Sequence, residues 1–242
     1  MTLYLSIDDT DEIGTKGTGE LAEELAGKIH QLGLGHCSPV TRHQLFVHDD
    51  IPYTSHNSAM CFCIDEPGDP DRIRQLAVDH LLSESAPGSD PGLCLFSDTD
   101  TEARRALIEF GLKAKKEVLT KDQAYELAQR CQARLSEHGG SGDGVIGALA
   151  GIGLRLCGDD GRYKGQLALP EDLGQPVSIA ALLRHTPLEQ VWTLSHQPVP
   201  NHTRVELEGK LKAVQLNHRM TLLVAFDGDR WFNAQKRHLK HY

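Results

Sequence analysis

The sequence predicts an α/β protein of the α+β type, with a ferredoxin-like (split βαβ) amino-terminal part, a glycine-rich helical segment and a β-rich carboxy-terminal part. Three observations support this fold class. The apolar patterns before residue 100 follow the order strand, helix, strand, strand, helix, strand, which is the split βαβ order. A glycine-rich run then precedes an apolar helix, and short strand patterns dominate after residue 160. We therefore predict one domain over residues 1–160 and a smaller β-rich region over residues 161–242, either separate or integrated with the first.

The amino-terminal elements follow from hydrophobic periodicity. An apolar run with β-branched and aromatic residues opens the chain as a strand, and Leu21, Leu25 and Ile29 then recur at helical spacing. Residues 59–64 are apolar enough to form a central strand. The other predictions here are a strand over 40–47, a helix over 71–82 and a strand over 93–96.

The later elements are less regular. Helices are predicted over 101–110 and 121–138, and another follows the glycine-rich run. Gly147, Gly151 and Gly153 lie inside that helix, where each glycine costs about 1 kcal/mol relative to alanine. Close packing against another backbone or a ligand would explain them. Short strands are predicted over 163–169, 190–194, 204–207, 222–226 and 230–232, with a helix over 178–183.

Composition restricts the function classes. The net charge of −9 argues against broad nonspecific nucleic-acid binding, which needs a basic surface. No apolar run reaches the roughly 18 residues of a membrane helix, and the cysteines form no CxxC pair. We expect a cytoplasmic protein with no membrane partner, no disulfide framework and no zinc site.

The first strand ends in a cluster of carboxylates, Asp8, Asp9 and Asp11. Such a cluster is costly without a positive charge, and hard cations such as Mg²⁺ bind oxygen ligands of this kind together with substrate phosphates. Gly17 and Gly19 follow at the start of a helix, where converging backbone N–H groups favour an anion. The arrangement predicts a metal-plus-phosphate site, with a solvated, capped turn as the alternative.

Other residues are candidates for the same site. Gly142 and Gly144 precede the apolar helix and would donate backbone N–H groups to phosphates. Asn57 could orient a phosphate or a metal-bound water, with a capped turn as the alternative. Arg42 and His43 are candidate anion contacts, with a surface pair on a strand as the alternative.

Three stretches together resemble the archaeal agmatidine synthetases, which use ATP to attach agmatine to the wobble cytidine of an isoleucine tRNA. These are the IDDTD run from Ile7 to Asp11 with the glycine-rich turn to Thr18, the loop over 51–59, and the run over 142–150. The resemblance covers roughly residues 1–165.

The resemblance implies a kinase-like domain that binds ATP and Mg²⁺ through Asp8, Asp9 and Asp11, and a threonine at the position of Thr18 that becomes phosphorylated. Asp8 and Asp11 would hold Mg²⁺, while Asp9 would complete the metal shell or accept a proton. The family has Cys-Thr-Thr where this chain has Gly-Thr-Gly, and it continues into an OB-fold domain and a zinc ribbon that are expected to be lacking here. We therefore expect a stand-alone, ATP- and Mg-dependent phosphotransferase or ligase acting on a small or unknown acceptor. Binding of tRNA would need a partner protein, and a homodimer is left open.

Three alternatives remain. A non-catalytic module would bind nucleotide or metal without turnover. A phosphatase of the haloacid-dehalogenase kind would use the Asp9-Thr10-Asp11 run, with the pair at 159–160 as later metal ligands. A calcium loop would use Asp9, Asp11, Gly14 and Glu20, although a strand rather than a helix is predicted before it.

Overall fold

The computed structural model describes residues 2–51, 56–170 and 173–242. The chain forms two compact units, Met1–Cys157 and Gly158–Tyr242. No helix within the described residues is long and apolar enough to cross a membrane.

The first unit is built on one antiparallel sheet. The elements of this unit are β1 (Thr2–Asp8), α1 (Thr18–Gln31), β2 (His36–Cys37), β3 (Thr41–Gln44), β4 (Ser58–Asp65), α2 (Pro70–Glu84), β5 (Gly92–Ser97), α3 (Thr101–Lys113), α4 (Lys121–Arg130), β6 (Arg134–Glu137) and α5 (Gly144–Cys157). Its strands run in the order β6-β5-β1-β4-β3, and the short β2 also pairs with β4. The order β5-β1-β4-β3 is that of a split βαβ fold, so the predicted α+β class is confirmed.

Both faces of this sheet are covered by helices. The face that carries Leu3, Leu5 and Ile7 of β1 packs against α1 and α2 in one apolar core. The opposite face packs against α3, α4 and α5 in a second core. Because side chains alternate along a strand, Ser6 and Asp8 point toward α5.

The glycines of α5 are explained by close packing, as predicted. A Cβ atom on Gly147 would collide with the carboxylate of Asp8, and one on Gly151 would collide with the hydroxyl of Ser6. A Cβ atom on Gly153 would collide with the carbonyl oxygen of Leu107 in α3. The missing side chains therefore let α5 lie directly on β1 and α3.

The predicted helix over 121–138 is wrong in its second half. The helix ends at Arg130, Gln132 adopts a left-handed φ of 56°, and residues 134–137 form β6. This strand pairs with the free edge of β5, with Gly92 opposite Glu137. Pairing of its backbone with β5 outweighs the local helical pattern, which is a weak determinant by comparison.

The second unit is rich in short strands. Its elements are β7 (Arg162–Tyr163), β8 (Val177–Ser178), α6 (Ile179–His185), β9 (Gln190–Thr193), β10 (Arg204–Glu206), β11 (Val214–Leu216), β12 (Arg219–Phe226), β13 (Trp231–Asn233) and a 3₁₀ helix (Lys236–Leu239). β12 pairs with β11 and β13 in antiparallel fashion and with β9 in parallel. Of the strand predicted over 163–169, only Tyr163 lies in a strand, and the sequence does not predict β8 or β11.

Candidate active site

Asp8 is the last residue of β1, and its carboxyl group is buried against the first turn of α5. Only 8% of the residue is exposed, and its carboxylate lies directly on the backbone at Gly147. A helix N-terminus carries partial positive charge, which favours a carboxylate in this position. The absence of a side chain at Gly147 therefore makes room for the carboxyl group of Asp8.

Burial and neighbouring negative charge raise the pKa of the predicted aspartates. Burial, together with the carboxylates of Asp9 and Asp11, raises the pKa of Asp8 from 3.8 to about 8. Burial and the carboxylates of Asp90, Asp11 and Asp143 raise the pKa of Asp9 from 3.8 to about 6. The charged side chains that act on both groups are all carboxylates, so a cation at this place would be strongly favoured.

Two further aspartates, Asp90 and Asp143, belong to this group. Asp90 precedes β5, and Asp143 directly precedes α5, and both act electrostatically on Asp9. Neither was predicted as a site residue, because each lies in a glycine-containing loop with no strand or helix periodicity. We refer to Asp8, Asp9, Asp11, Asp90 and Asp143 as the acidic cluster.

Thr18 lies at the start of α1 with its hydroxyl group oriented by Asp11. Its Oγ1 donates a hydrogen bond to Asp11 Oδ1 at 3.0 Å and accepts one from the Thr10 backbone N–H at 3.4 Å. Gly17 is the N-cap of α1, and Gly19 is buried in its first turn. The structure therefore brings Asp11, Thr18 and both glycines together at one helix N-terminus.

The second glycine loop, residues 139–144, is fastened to the loop before β5. The hydroxyl of Ser141 donates to Asp90 Oδ2 at 2.6 Å, and its backbone N–H donates to Asp90 Oδ1. Gly144 packs so closely on the Asp90 carbonyl oxygen that a Cβ atom would collide with it. Gly142 adopts a left-handed φ of 80°, which favours glycine. Asp90 thus connects this loop to the acidic cluster.

Asn57 holds a turn together. Its side-chain amide donates to the Phe46 carbonyl oxygen at 2.6 Å, and its own carbonyl accepts from the Leu45 backbone N–H at 2.9 Å. These contacts agree with the capped-turn alternative. Residues 52–55 of the family-like loop lie outside the described residues.

The two predicted anion contacts on β3 have different environments. Arg42 is half-buried, and its guanidinium donates to Ser58 Oγ at 3.0 Å and to Gln44 Oε1 at 2.9 Å. His43 is fully buried and hydrogen-bonded to Thr41 Oγ1 at 2.8 Å. Strand alternation turns His43 into the core, so the surface-pair alternative does not hold for it, and its contact with an anion stays a prediction.

The acidic cluster does not form a ready-made metal cage. Among the residues that the structure describes, no group of three or more His, Cys, Asp or Glu side chains is arranged to hold a metal ion. Mg²⁺ is commonly bound by one or two carboxylates plus substrate phosphates, with water completing its shell. The excess negative charge around Asp8 and Asp9 fits that mode of binding.

The geometry also bears on two of the alternatives. Residues 9–20 follow a strand and enter α1, whereas a calcium loop of the EF-hand type lies between two helices. Asp159, proposed as a later ligand in the phosphatase alternative, accepts a hydrogen bond from the Asn217 backbone N–H at 2.6 Å within the second unit.

Comparison with known proteins gives partial matches to solved structures. The chain is similar to a tRNA fluorescent labeling enzyme, with a TM-score of 0.54 and 27% identity over 63% of this chain and 36% of that one. It is similar to apo TiaS, an agmatidine synthetase for an isoleucine tRNA, with a TM-score of 0.53 and 26% identity over 63% and 35%. The complex of TiaS with this tRNA, AMPCPP and agmatine matches with a TM-score of 0.53 and 26% identity over 63% and 36%.

No family model matches the chain, and no curated protein sequence does. The match spans only 35–36% of the length of these structures. In fold, and at 26% sequence identity, the chain is thus similar to part of the tRNA agmatidine synthetase TiaS.

Proposed function

We propose that the chain binds ATP with Mg²⁺ and uses it in a phosphoryl-transfer or ligase-type reaction on an acceptor other than tRNA alone. One observation carries the proposal. The Thr18 hydroxyl is oriented by Asp11, which acts electrostatically on the buried Asp8 and the half-buried Asp9, in a fold shared with a synthetase solved with AMPCPP.

The acidic cluster would hold the metal. A divalent cation held by Asp8, Asp9 and Asp11 would relieve their mutual repulsion and would supply positive charge to a bound phosphate. In phosphoryl transfer, Mg²⁺ supplies positive charge that neutralises the phosphate oxygens. Binding of the cation would also lower the pKa of Asp8 and Asp9, so that both are ionised at neutral pH.

The backbone would hold the phosphates. Two helix N-termini, which favour anions, carry the predicted glycines. Gly17 and Gly19 lie at the start of α1, and Gly142 and Gly144 lie just before and at the start of α5. Asn57 would orient a water molecule through its amide oxygen, which accepts hydrogen bonds, or a phosphate through the second N–H of its amide, since the first donates to Phe46. These groups position the nucleotide, which is the main requirement of phosphoryl transfer.

Asp11 suits the role of proton acceptor better than Asp9. Its Oδ1 accepts a hydrogen bond from the Thr18 hydroxyl, with 3.0 Å between the two oxygens, which is the geometry required of a general base. As the Thr18 oxygen bonds to the terminal phosphorus, the bond from that phosphorus to ADP breaks and the proton passes to Asp11. This assigns Thr18 as the phosphoacceptor.

Incubation with γ-labelled ATP and Mg²⁺ tests the proposal. Wild type and Thr18→Ser should become labelled, whereas Asp8→Ala and Thr18→Ala should not. Thr18→Ser is the matched control, because it keeps the hydroxyl and its bond to Asp11. Label that persists in Thr18→Ala would retain the ATP-dependent chemistry and remove Thr18 from it.

The same experiment separates the alternatives. Saturable ATP binding with turnover no faster than in Asp8→Ala would establish the non-catalytic module. Base hydrolyses an aspartyl phosphate but leaves phosphothreonine intact. Label that is lost in base would therefore establish the phosphatase-like mechanism. Absence of ATP binding by a folded wild type would overturn the proposed function.

A further inference from the structure

A carboxylate of the protein itself occupies the second glycine loop. Glu137 ends β6, and its Oε2 lies so close to the Cα of Gly142 that a Cβ atom there would collide with it. Lys121, the first residue of α4, donates from Nζ to this Oε2 at 2.6 Å and to the Ser141 carbonyl oxygen at 2.6 Å. An ammonium and an anion therefore already meet at the loop.

The contact depends on the special backbone of the loop. Gly142 has a left-handed φ of 80°, and Ser141 is fixed by two bonds to Asp90. The loop therefore keeps its shape through Asp90, independently of Glu137. Removing the Glu137 charge should leave the loop in place with Lys121 still bonded to the Ser141 carbonyl.

The pair is accessible to a ligand. The side chains of Lys121 and Glu137 are 29% and 45% exposed, and an ion pair with this exposure contributes little to stability. A polyphosphate carries more charge than one carboxylate and could use both the ammonium and the N-terminus of α5. Exchange of the carboxylate for a phosphate would therefore be favourable.

We infer that Lys121 binds a nucleotide phosphate at the glycine loop, and that Glu137 is an internal competitor which this phosphate displaces. The inference rests on the proposed function and adds two residues to it, one that binds and one that opposes binding. A purely structural ion pair would give a different result, because removing either partner would then weaken phosphate binding. Here removal of the Glu137 charge is expected to strengthen it.

The test is the affinity for magnesium tripolyphosphate and for ATP with Mg²⁺, measured by titration calorimetry on the full chain. Lys121→Met should weaken both affinities by about 10-fold, as loss of a charge-assisted contact does. Lys121→Arg should restore most of that loss. Glu137→Gln should tighten both affinities, by about 3- to 10-fold.

Arg134 and Asp71 provide matched controls. They form another exposed ion pair of the first unit, between β6 and α2, so Arg134→Met and Asp71→Asn change the net charge by the same amounts. Neither should alter the affinities. Melting temperatures of all variants should stay close to that of wild type, which separates loss of binding from loss of fold.

Two outcomes would overturn the inference: weaker binding in Glu137→Gln, as in Lys121→Met, or no tripolyphosphate binding by wild type and Glu137→Gln. Tripolyphosphate binding with the expected pattern, but with no ATP binding or labelling, would overturn the proposed function and confine the inference to a polyphosphate that is not a nucleotide.

Discussion

At the scale of single residues, Asp8 shows how the site acts on folding. With its pKa raised to about 8, Asp8 keeps its proton in the folded protein over a pH range in which the unfolded chain has released it. Its contribution to the free energy of unfolding is therefore greatest below its ordinary pKa of 3.8 and falls as the pH rises to about 8. Without a cation, the folded state is least stable at alkaline pH as far as this group is concerned.

We predict that Asp8→Asn stabilises the metal-free protein at pH 8, because the amide does not ionise. The gain should be on the order of 2–5 kcal/mol at pH 8 and should shrink toward pH 5. Chemical denaturation at both pH values, with EDTA present, measures it. Asp143→Asn removes the same charge from an exposed position and should give a much smaller gain.

Addition of Mg²⁺ should stabilise the wild type but not Asp8→Asn, which is the opposite of the effect of the substitution in metal-free buffer. Millimolar Mg²⁺ should raise the melting temperature of wild type more at pH 8 than at pH 5, since the cation competes with the proton on Asp8. It should leave Asp8→Asn nearly unchanged. An equal response of the two proteins would show that Asp8 does not contribute to metal binding.

At the scale of elements, the site depends on how closely α5 lies on β1. We predict that Gly147→Ala displaces the Asp8 side chain and destabilises the fold by about 1–3 kcal/mol, as overpacking does, despite the better helix propensity of alanine. Nucleotide binding should be lost with it. Denaturation and titration with ATP and Mg²⁺ measure the two effects.

Gly27 is the matched control for this substitution. It also lies inside a helix, α1, but a Cβ atom there would meet nothing within 4 Å. Gly27→Ala should therefore stabilise the protein by about 0.5–1 kcal/mol and leave nucleotide binding unchanged. If Gly147→Ala also stabilises the protein, the close contact with Asp8 does not constrain this interface.

The elements also show what the sequence could and could not predict. Strong local signals, such as the periodicity of α1 and the Asp-rich end of β1, predicted the split βαβ part and Asp8, Asp9 and Asp11. Asp90, Lys121 and Glu137 carry no such signal, because they meet only through the pairing of β5 with β6 and the docking of two loops. Because the sequence predicts a helix up to residue 138, it predicts neither that pairing nor the position of the Glu137 carboxylate beside the glycine loop.

At the scale of the whole molecule, charge is divided unevenly between the two units. Of the 34 acidic and 25 basic residues of the chain, 25 acidic and 14 basic ones lie in the first unit. The second unit holds 9 acidic and 11 basic residues. The first unit is therefore strongly acidic, whereas the second is slightly basic. A large polyanion such as RNA should be repelled by the first unit but not by the second.

We predict that any affinity of the full chain for an RNA resides in the second unit. Lys236, Arg237 and Lys240 are exposed around Leu239, which is buried in the core of that unit. Replacing all three with glutamine should reduce the salt dependence of tRNA binding by about 2–3 in the slope of log K against log salt. Fluorescence anisotropy with a labelled tRNA over a salt series measures the slope.

The control replaces three exposed basic residues of the first unit, Arg105, Lys113 and Lys116, with glutamine. Both triple variants lower the net charge equally, so a global charge effect would change both slopes alike. The first-unit variant should keep the wild-type slope, because the acidic surplus of that unit disfavours contact of RNA phosphates with these exposed basic residues. A larger loss of slope in the first-unit variant would instead place RNA on the α3 surface of the first unit, and the acceptor of the reaction would then have to be sought among nucleic acids.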